Sequence, residues 1–154
     1  DEVEKGLYKA SVNLFENCFF TYSLVKAITF SKIVIPLIML LLMIILSYYG
    51  IKEVPFALSV LQALFSANIL GLLIKHIILL NRLSVILDNW ILLFQNEDIK
   101  SHTYNYQSFI YRYWLQYETI HSKINADIPE KIFSKNNSAL TIEWENLKNK
   151  HNIK

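Results

Sequence analysis

The sequence predicts an all-α membrane protein: a two-span transmembrane helical hairpin with cytoplasmic amphipathic helices that form a small bundle. Three observations predict this class. The chain of 154 residues is 53% hydrophobic with a mean hydropathy of +0.29, and it contains two long apolar stretches without charge. It also has only 3 Gly and 3 Pro, too few for the many tight turns of an all-β fold.

The hairpin is predicted over residues 29–74, with crossings at about 29–49 and 55–74. A crossing needs about 20 predominantly apolar residues, and both stretches reach that length. Lys32 lies at the edge of the first crossing, where its long side chain can reach the headgroups. The connection GIKEVP has a glycine to end one helix and a proline to begin the next, and its shortness makes the crossings antiparallel.

Residues 1–28 predict an N-terminal amphipathic helix that leads into the first crossing. Its apolar side chains recur three or four residues apart, which is the spacing of one helical face. They are Tyr8, Val12, Phe15, Phe19 and Tyr22. Two arrangements are open: the helix packs on the other cytoplasmic helices, or it lies in the membrane interface with its aromatic rings among the headgroups.

Residues 75–154 predict a cytoplasmic stem helix followed by C-terminal helices. The second crossing continues without Gly or Pro as a stem that stops near Asn96. The apolar positions of this stem are Leu73, Ile77, Leu80, Leu87, Ile91 and Phe94. A helix over 104–125 should fold back on the stem, Pro129 opens a short helix, and 138–150 forms a last amphipathic piece. No internal repeat or long linker divides the chain, so a single domain is expected.

Aromatic residues are expected to hold the cytoplasmic helices together. The candidates for this packing are Trp90, Trp114, Tyr117 and Trp144. Trp114 and Tyr117 should be buried against the stem around Leu87 and Ile91. A second aromatic set could instead stack on a nucleotide base, with Arg112 and Lys123 nearby. Its members are Tyr104, Tyr106, Tyr111, Tyr113, Trp114 and Tyr117. Packing is favoured, because helically spaced aromatic residues usually build a core and the chain has no glycine-rich phosphate loop.

The charges that flank the crossings predict the orientation of the hairpin. Its two outer ends carry Lys26, Lys32, Lys75 and Arg82. In the turn, Lys52 is balanced by Glu53. By the positive-inside rule both termini are cytoplasmic. The chain starts at Asp1 without the pattern of a cleavable signal peptide, so both apolar segments should remain in the mature protein.

Neither catalysis nor a cofactor is expected. With 15 basic and 13 acidic residues the net charge is only +2, so direct nucleic-acid binding is not expected. Cys18, the single cysteine, lies among phenylalanines and reads as a small buried thiol. The four histidines have neither the spacing of metal ligands nor a catalytic partner, so the chain should have no metal site and should not be an enzyme.

The second crossing contains a polar stripe. Ser59, Gln62 and Ser66 fall within about 60° of one helix face. Polar side chains are costly against lipid, so this face should meet protein or water. Two readings are open: the three residues line a pore, or they form hydrogen bonds between helices.

The same crossing carries residues suited to close helix packing. Ala63, Ala67 and Gly71 repeat the small-xxx-small spacing, which lets two helix backbones approach closely. Packing within the hairpin is the commoner use of this pattern, and a subunit interface is the alternative. Asn68 lies on the face opposite the polar stripe and requires a partner, which a second protomer, a backbone carbonyl or the first crossing could supply.

This order of elements resembles a known family. A cytoplasmic amphipathic helix is followed by the uncharged hairpin with its GIKEVP turn, a stem with NRLSVILDNW, and aromatic helices that end in ALTIEWENLK. The chain thereby resembles the SLATT family of two-span effector domains in bacterial conflict systems, over most of its length. The resemblance implies an inner-membrane effector that assembles and permeabilises the membrane when a partner senses infection, often through a nucleotide signal. It implies no catalytic residues.

The leading hypothesis is therefore a homo-oligomeric, pore-forming effector in the lipid bilayer, with the polar stripe as its lining. A separate sensor protein or a nucleotide second messenger would trigger it. The first alternative is a non-catalytic membrane anchor or adaptor that recruits a soluble partner. The second is a lipid-modifying or ligand-sensing membrane protein that uses the aromatic helices as a pocket.

Overall fold

The computed structural model describes residues 2–48, 55, 58–60, 62, 69–122 and 130–153. Four α-helices contain most of these residues, and two short 3-10 segments join the second helix to the third. The helices are α1 (Glu2–Tyr48), α2 (Ile69–Gln95), α3 (Gln107–His121) and α4 (Glu130–Lys150), and the 3-10 segments are Glu97–Lys100 and Thr103–Tyr106. No strand occurs in this described part, so the predicted helical class is confirmed.

The first helix is longer than either piece that the sequence suggested. The expected N-terminal helix and the first crossing form one helix of 47 residues, α1, which is about 70 Å long at 1.5 Å per residue. Pro36 lies inside this helix, although proline removes one backbone hydrogen bond there. The long apolar run on both sides of Pro36 continues the helix through this position.

The second helix ends where the sequence predicted. α2 stops at Gln95, and Asn96 begins the next segment by accepting a hydrogen bond from the backbone N–H of Asp98 through its side-chain oxygen, at 3.2 Å. This is the local bond by which Asn ends one element and starts another. Residues 55, 58–60 and 62 of the second crossing are also helical.

α1 and α2 run antiparallel. Contacts pair the start of α1 with the end of α2, since the rings of Tyr8 and Phe94 lie 6.0 Å apart. Further along α1, Phe15 lies 6.4 Å from Trp90. The long apolar stretch of α1 begins beyond these contacts.

The seam between α1 and α2 follows a heptad spacing. Its buried positions are Ser11, Phe15, Cys18, Val25 and Thr29 on α1, and Leu83, Leu87, Trp90 and Phe94 on α2. Alternating steps of three and four residues keep one face of each helix against the other. The predicted stem stripe is wrong at Ile77, which is 46% exposed, and it omitted Leu83, which is fully buried. Leu83 and Leu87 are four residues apart and share one face of α2, whereas Ile77, six residues before Leu83, lies about 120° from it.

α3 and α4 both pack against this pair. α3 contacts α2 through Tyr113, whose ring lies 5.6 Å from that of Trp90. α4 contacts α1 through Trp144, with its ring 5.1 Å from that of Phe15. α4 is one helix of 21 residues, whereas the sequence predicted a short helix followed by a separate piece over 138–150. α3 is shorter than the predicted 104–125, because its first turn is a 3-10 segment.

Two helical segments are long and apolar enough to cross a membrane, Glu2–Ile45 and Leu73–Gln95. In the first of them, burial changes abruptly along the chain. The exposed side chains of the later half are Phe30, Val34, Leu37, Ile38, Leu41, Leu42, Ile44 and Ile45, at 50–64% exposure. We call this surface the apolar band of α1.

Candidate functional site

The polar stripe of the second crossing is described at two positions. Ser59 and Gln62 are both helical and exposed. The Ser59 hydroxyl donates to the backbone carbonyl of Pro55 one turn earlier, at 2.9 Å. A serine can thus satisfy its donor inside its own helix. The face that carries Ser59 and Gln62 is exposed on the single chain.

Of the other residues predicted to act in this crossing, the structure describes only Gly71. Gly71 lies in α2 and is half-buried. The remaining predicted positions are Ser66, Ala63, Ala67 and Asn68, and they lie outside the described residues. The small-xxx-small packing and the partner of Asn68 therefore stay predictions.

A polar contact marks the end of the apolar band. Lys32 of α1 and His76 of α2 bring their side-chain nitrogens Nζ and Nε2 to 3.1 Å. An ammonium group can only donate, so Lys32 is the donor in this contact and Nε2 of His76 is the acceptor. No sequence pattern indicates this contact, because its two residues lie on different helices.

The bundle on the other side of this contact is built around one phenylalanine. Phe15 lies 5.3 Å from Phe94 and 5.1 Å from Trp144, measured between ring centroids. Trp90 and Trp144 are 0% and 2% exposed. Two of the four predicted packing residues therefore lie in the centre of the core, where aromatic rings contribute both buried area and edge contacts.

Trp114 is not in that core, and the prediction that it is buried against the stem is wrong. It is 39% exposed, and its Nε1 donates to Glu118 Oε1 at 3.3 Å. The inward face of α3 is instead formed by Ile110, Tyr113 and Tyr117, which are spaced three and four apart. Trp114 directly follows Tyr113, so its side chain is turned by about 100° from this inward face and points away from the bundle.

Tyr117 is buried, but its hydroxyl contacts α1. It lies 2.9 Å from Thr21 Oγ1 and 3.5 Å from the carbonyl of Asn17. Burial raises the pKa of Tyr117, the hydrogen bond to Thr21 lowers it, and the nearby Cys18 and Glu118 raise it further. The bond attaches α3 to the N-terminal helix across a long separation in sequence.

The aromatic residues proposed to stack on a nucleotide base do not share one side of α3. Tyr113 and Tyr117 face the core, whereas Tyr104, Tyr111 and Trp114 are exposed by 60%, 43% and 39%. The aromatic residues of this segment are thus divided between two sides of α3. A base would have to be held by one side only.

Cys18 is placed for packing. Its side chain is fully buried between α1 and α2, and burial raises its pKa to about 12. A thiol is nucleophilic as the thiolate, so this one is unsuited to covalent chemistry at neutral pH. Among the residues that the structure describes, no group of His, Cys, Asp and Glu is arranged to hold a metal ion.

A polar cavity lies at the end of the bundle far from the apolar band. Lys100, Lys150 and His151 line it, and the Lys100 ammonium donates to the backbone carbonyl of Asn152. Burial lowers the pKa of His151, and the charge of Lys150 lowers it further. Both α2 and α4 end at this cavity, and the carbonyl ends of helices attract cations. Lys100 is therefore accounted for as a partner of the chain at the end of α4.

Comparison of the chain with protein-family models, with curated proteins and with solved structures finds no match. Three features of the structure bear on function. They are the apolar band, the exposed polar positions Ser59 and Gln62, and the aromatic bundle that begins beyond Lys32 and His76.

Proposed function

We propose that this protein is a membrane effector that oligomerises and permeabilises the bacterial inner membrane. It inserts as a two-span hairpin with both termini in the cytoplasm, and a partner protein or a nucleotide triggers it. The observation that supports this most is the change along α1. Up to Thr29, buried side chains recur along α1, whereas the large apolar side chains of the apolar band, from Phe30 to Ile45, are 50–64% exposed.

A bilayer explains why the apolar band is exposed. In water, this surface would cost about 25 cal/mol for each Å² left uncovered, and it would drive aggregation. In hydrocarbon the same side chains are at no disadvantage. The Lys32 to His76 contact then lies at the boundary, where a lysine can place its ammonium among the headgroups.

The polar stripe is the reason to propose that the protein oligomerises. Gln62 is exposed on the single chain, and an amide that faces lipid lacks hydrogen-bond partners. Two thin helices are too few to enclose a water path. Several copies arranged with this face inward would let Ser59 and Gln62 meet water, as side chains that line a pore do.

The test is dye release from liposomes by the purified protein and by its Gln62→Leu variant. Leucine removes a hydrated element of the pore wall, so release should fall several-fold while the oligomer keeps its size in detergent. Val60→Ala is the control, because Val60 is two residues before Gln62 and therefore lies about 160° away from it around the helix. It should leave release unchanged.

The competing role for Gln62 gives a different result. If Gln62 only joins helices, its bond contributes about 0.6 kcal/mol, and the leucine variant should permeabilise vesicles as the parent does. That result would remove the pore lining from the proposal and leave packing as the reason for the polar stripe.

A second candidate function is a membrane adaptor. Exposed apolar side chains on the bundle favour it, since Leu92, Leu115 and Ile142 are exposed by 64%, 61% and 63%. A soluble partner could cover them while the hairpin serves only as an anchor. Vesicles that stay intact at every protein concentration and in the presence of the partner would favour the adaptor over the effector.

A further inference from the structure

A groove separates α2 from α3 on the side of the bundle nearest the apolar band. Its lining residues are Asn81, Arg82, Val85 and Ile86 of α2, and Leu115, Gln116, Thr119 and Ile120 of α3. No acidic side chain is among them. Half of the lining is aliphatic and the other half can donate hydrogen bonds, so the groove suits a molecule with an apolar part and an anionic part.

The groove continues the lipid-facing surface of α2. Ile74 and Ile78 are 57% and 50% exposed, and Arg82 follows them one turn further on the same face. The step from Ile78 to Arg82 is about 6 Å along the helix axis. That distance matches the thickness of one headgroup layer, about 5 to 7 Å, beyond the hydrocarbon.

The charges around Arg82 favour an anion. In the part of the chain that the structure describes, no ion pair or hydrogen bond joins Arg82 to another residue. The next acidic residue of α2, Asp88, lies almost two turns further on and on another face. The closest carboxylate of α3, Glu118, accepts from Trp114 instead. An exposed guanidinium beside an aliphatic groove can hold a phosphate with two parallel hydrogen bonds.

We infer that this groove binds an anionic phospholipid of the cytoplasmic leaflet. The lipid phosphate lies on the Arg82 guanidinium, the glycerol region rests against Val85 and Leu115, and the acyl chains run along Ile74 and Ile78. This inference rests on the proposed insertion of the hairpin in a membrane. It adds a specific lipid site that ties α3 to the membrane surface.

The experiment is native mass spectrometry of the full chain in a neutral detergent, titrated with phosphatidylglycerol or with phosphatidylcholine. The parent should retain one phosphatidylglycerol more strongly than phosphatidylcholine, and Arg82→Gln should weaken that binding on the order of tenfold. Arg112→Gln is the matched control, because Arg112 is an exposed arginine of α3 that does not line the groove. It should bind lipid as the parent does.

Two further arms identify the ligand and guard against misfolding. Inorganic phosphate should not compete at millimolar concentration, because it lacks the acyl chains; full competition would mean a free-phosphate site and overturn the lipid assignment. Arg82→Lys keeps the charge and should recover part of the affinity, with unchanged helix content by circular dichroism. Equal binding by the Arg82→Gln and parent proteins would also overturn the inference.

A second pair of variants tests the aliphatic wall of the groove. Leu115→Asp places a negative charge in the groove and should lower phosphatidylglycerol binding strongly, whereas Leu92→Asp, at an equally exposed leucine outside it, should not. Equal losses in both would mean general charge repulsion and contradict the site.

Failure of this inference differs from failure of the proposed function. Protein that releases dye but shows no lipid selectivity contradicts the groove alone. Protein that selects phosphatidylglycerol but leaves vesicles intact contradicts the effector alone.

Discussion

The two halves of α1 differ in what they bury, because the bundle half buries hydroxyl side chains and the apolar band exposes aliphatic ones. In the bundle, the hydroxyl residues Ser11, Thr21 and Thr29 are buried, at 0%, 9% and 2% exposure. In the apolar band, Leu41 and Ile44 are exposed by 51% and 64%. Both halves belong to one helix, so helix formation does not decide which residues are buried. The neighbours of each half decide it.

The buried hydroxyls are tolerated because the chain itself satisfies them. Ser11 donates to the carbonyl of Tyr8 and Thr29 to that of Val25, each at 2.7 Å. Small side chains at these positions also let α1 and α2 approach closely around the large rings of the core. The band has no such neighbours, and its aliphatic side chains require an apolar solvent instead.

Removing a core ring should separate the halves most clearly. Trp90→Ala deletes a fully buried indole between α1 and α3 and should lower the free energy of unfolding of the bundle by about 3 to 5 kcal/mol. Trp114→Ala, at a residue 39% exposed, should change it by about 0.5 kcal/mol. Denaturant titration in detergent, followed by circular dichroism, measures both. Equal effects of the two variants would contradict the core described here.

Two leucines with similar exposure test whether the apolar band faces lipid. Leu41 and Leu92 are 51% and 64% exposed, but only Leu41 belongs to the apolar band. Leu41→Asp should oppose membrane insertion by about 2.5 to 3.5 kcal/mol, whereas Leu92→Asp should insert as the parent does. The fraction that resists carbonate extraction from membranes measures insertion. Full insertion of the Leu41→Asp protein would place the band outside the bilayer.

Local patterns were enough to predict much of the fold. Charge-free runs and the lack of glycine and proline predicted long helices, and the polar cluster after Gln95 predicted the end of α2. Phe15 and Phe19, expected on one apolar face, are both in the core. Periodicity works in these cases because each depends on neighbours within a few turns of one helix.

Contacts between helices could not be predicted in the same way. Trp114 and Tyr113 are adjacent, yet one is exposed and the other contacts Trp90, because a step of one residue turns the side chain by about 100°. If the assumed buried face of a helix is wrong by that angle, exposed residues are predicted to be buried and buried residues to be exposed. The Arg82 groove and the Lys32 to His76 contact each require two helices in register, which a single sequence does not display.

The smallest effect concerns the hydroxyl that ties α3 to α1. Tyr117→Phe removes its bond to Thr21 and should lower the free energy of unfolding by about 1 kcal/mol at pH 8, whereas Tyr104→Phe, at a tyrosine 60% exposed, should have little effect.

The effect of Tyr117 should also depend on pH. Because burial raises the pKa of Tyr117 in the folded chain, this tyrosine ionises at a lower pH in the unfolded chain, where its pKa has the ordinary value of about 10. The contribution of Tyr117 is therefore complete below that pH and is lost as the pH rises through the raised pKa of the folded chain. The parent should thus keep its advantage over Tyr117→Phe at pH 8 and lose it as the pH rises above about 10, as measured by denaturant titration over this range. A gap that stays constant over this range would show that the Tyr117 hydroxyl ionises equally in the folded and unfolded chains.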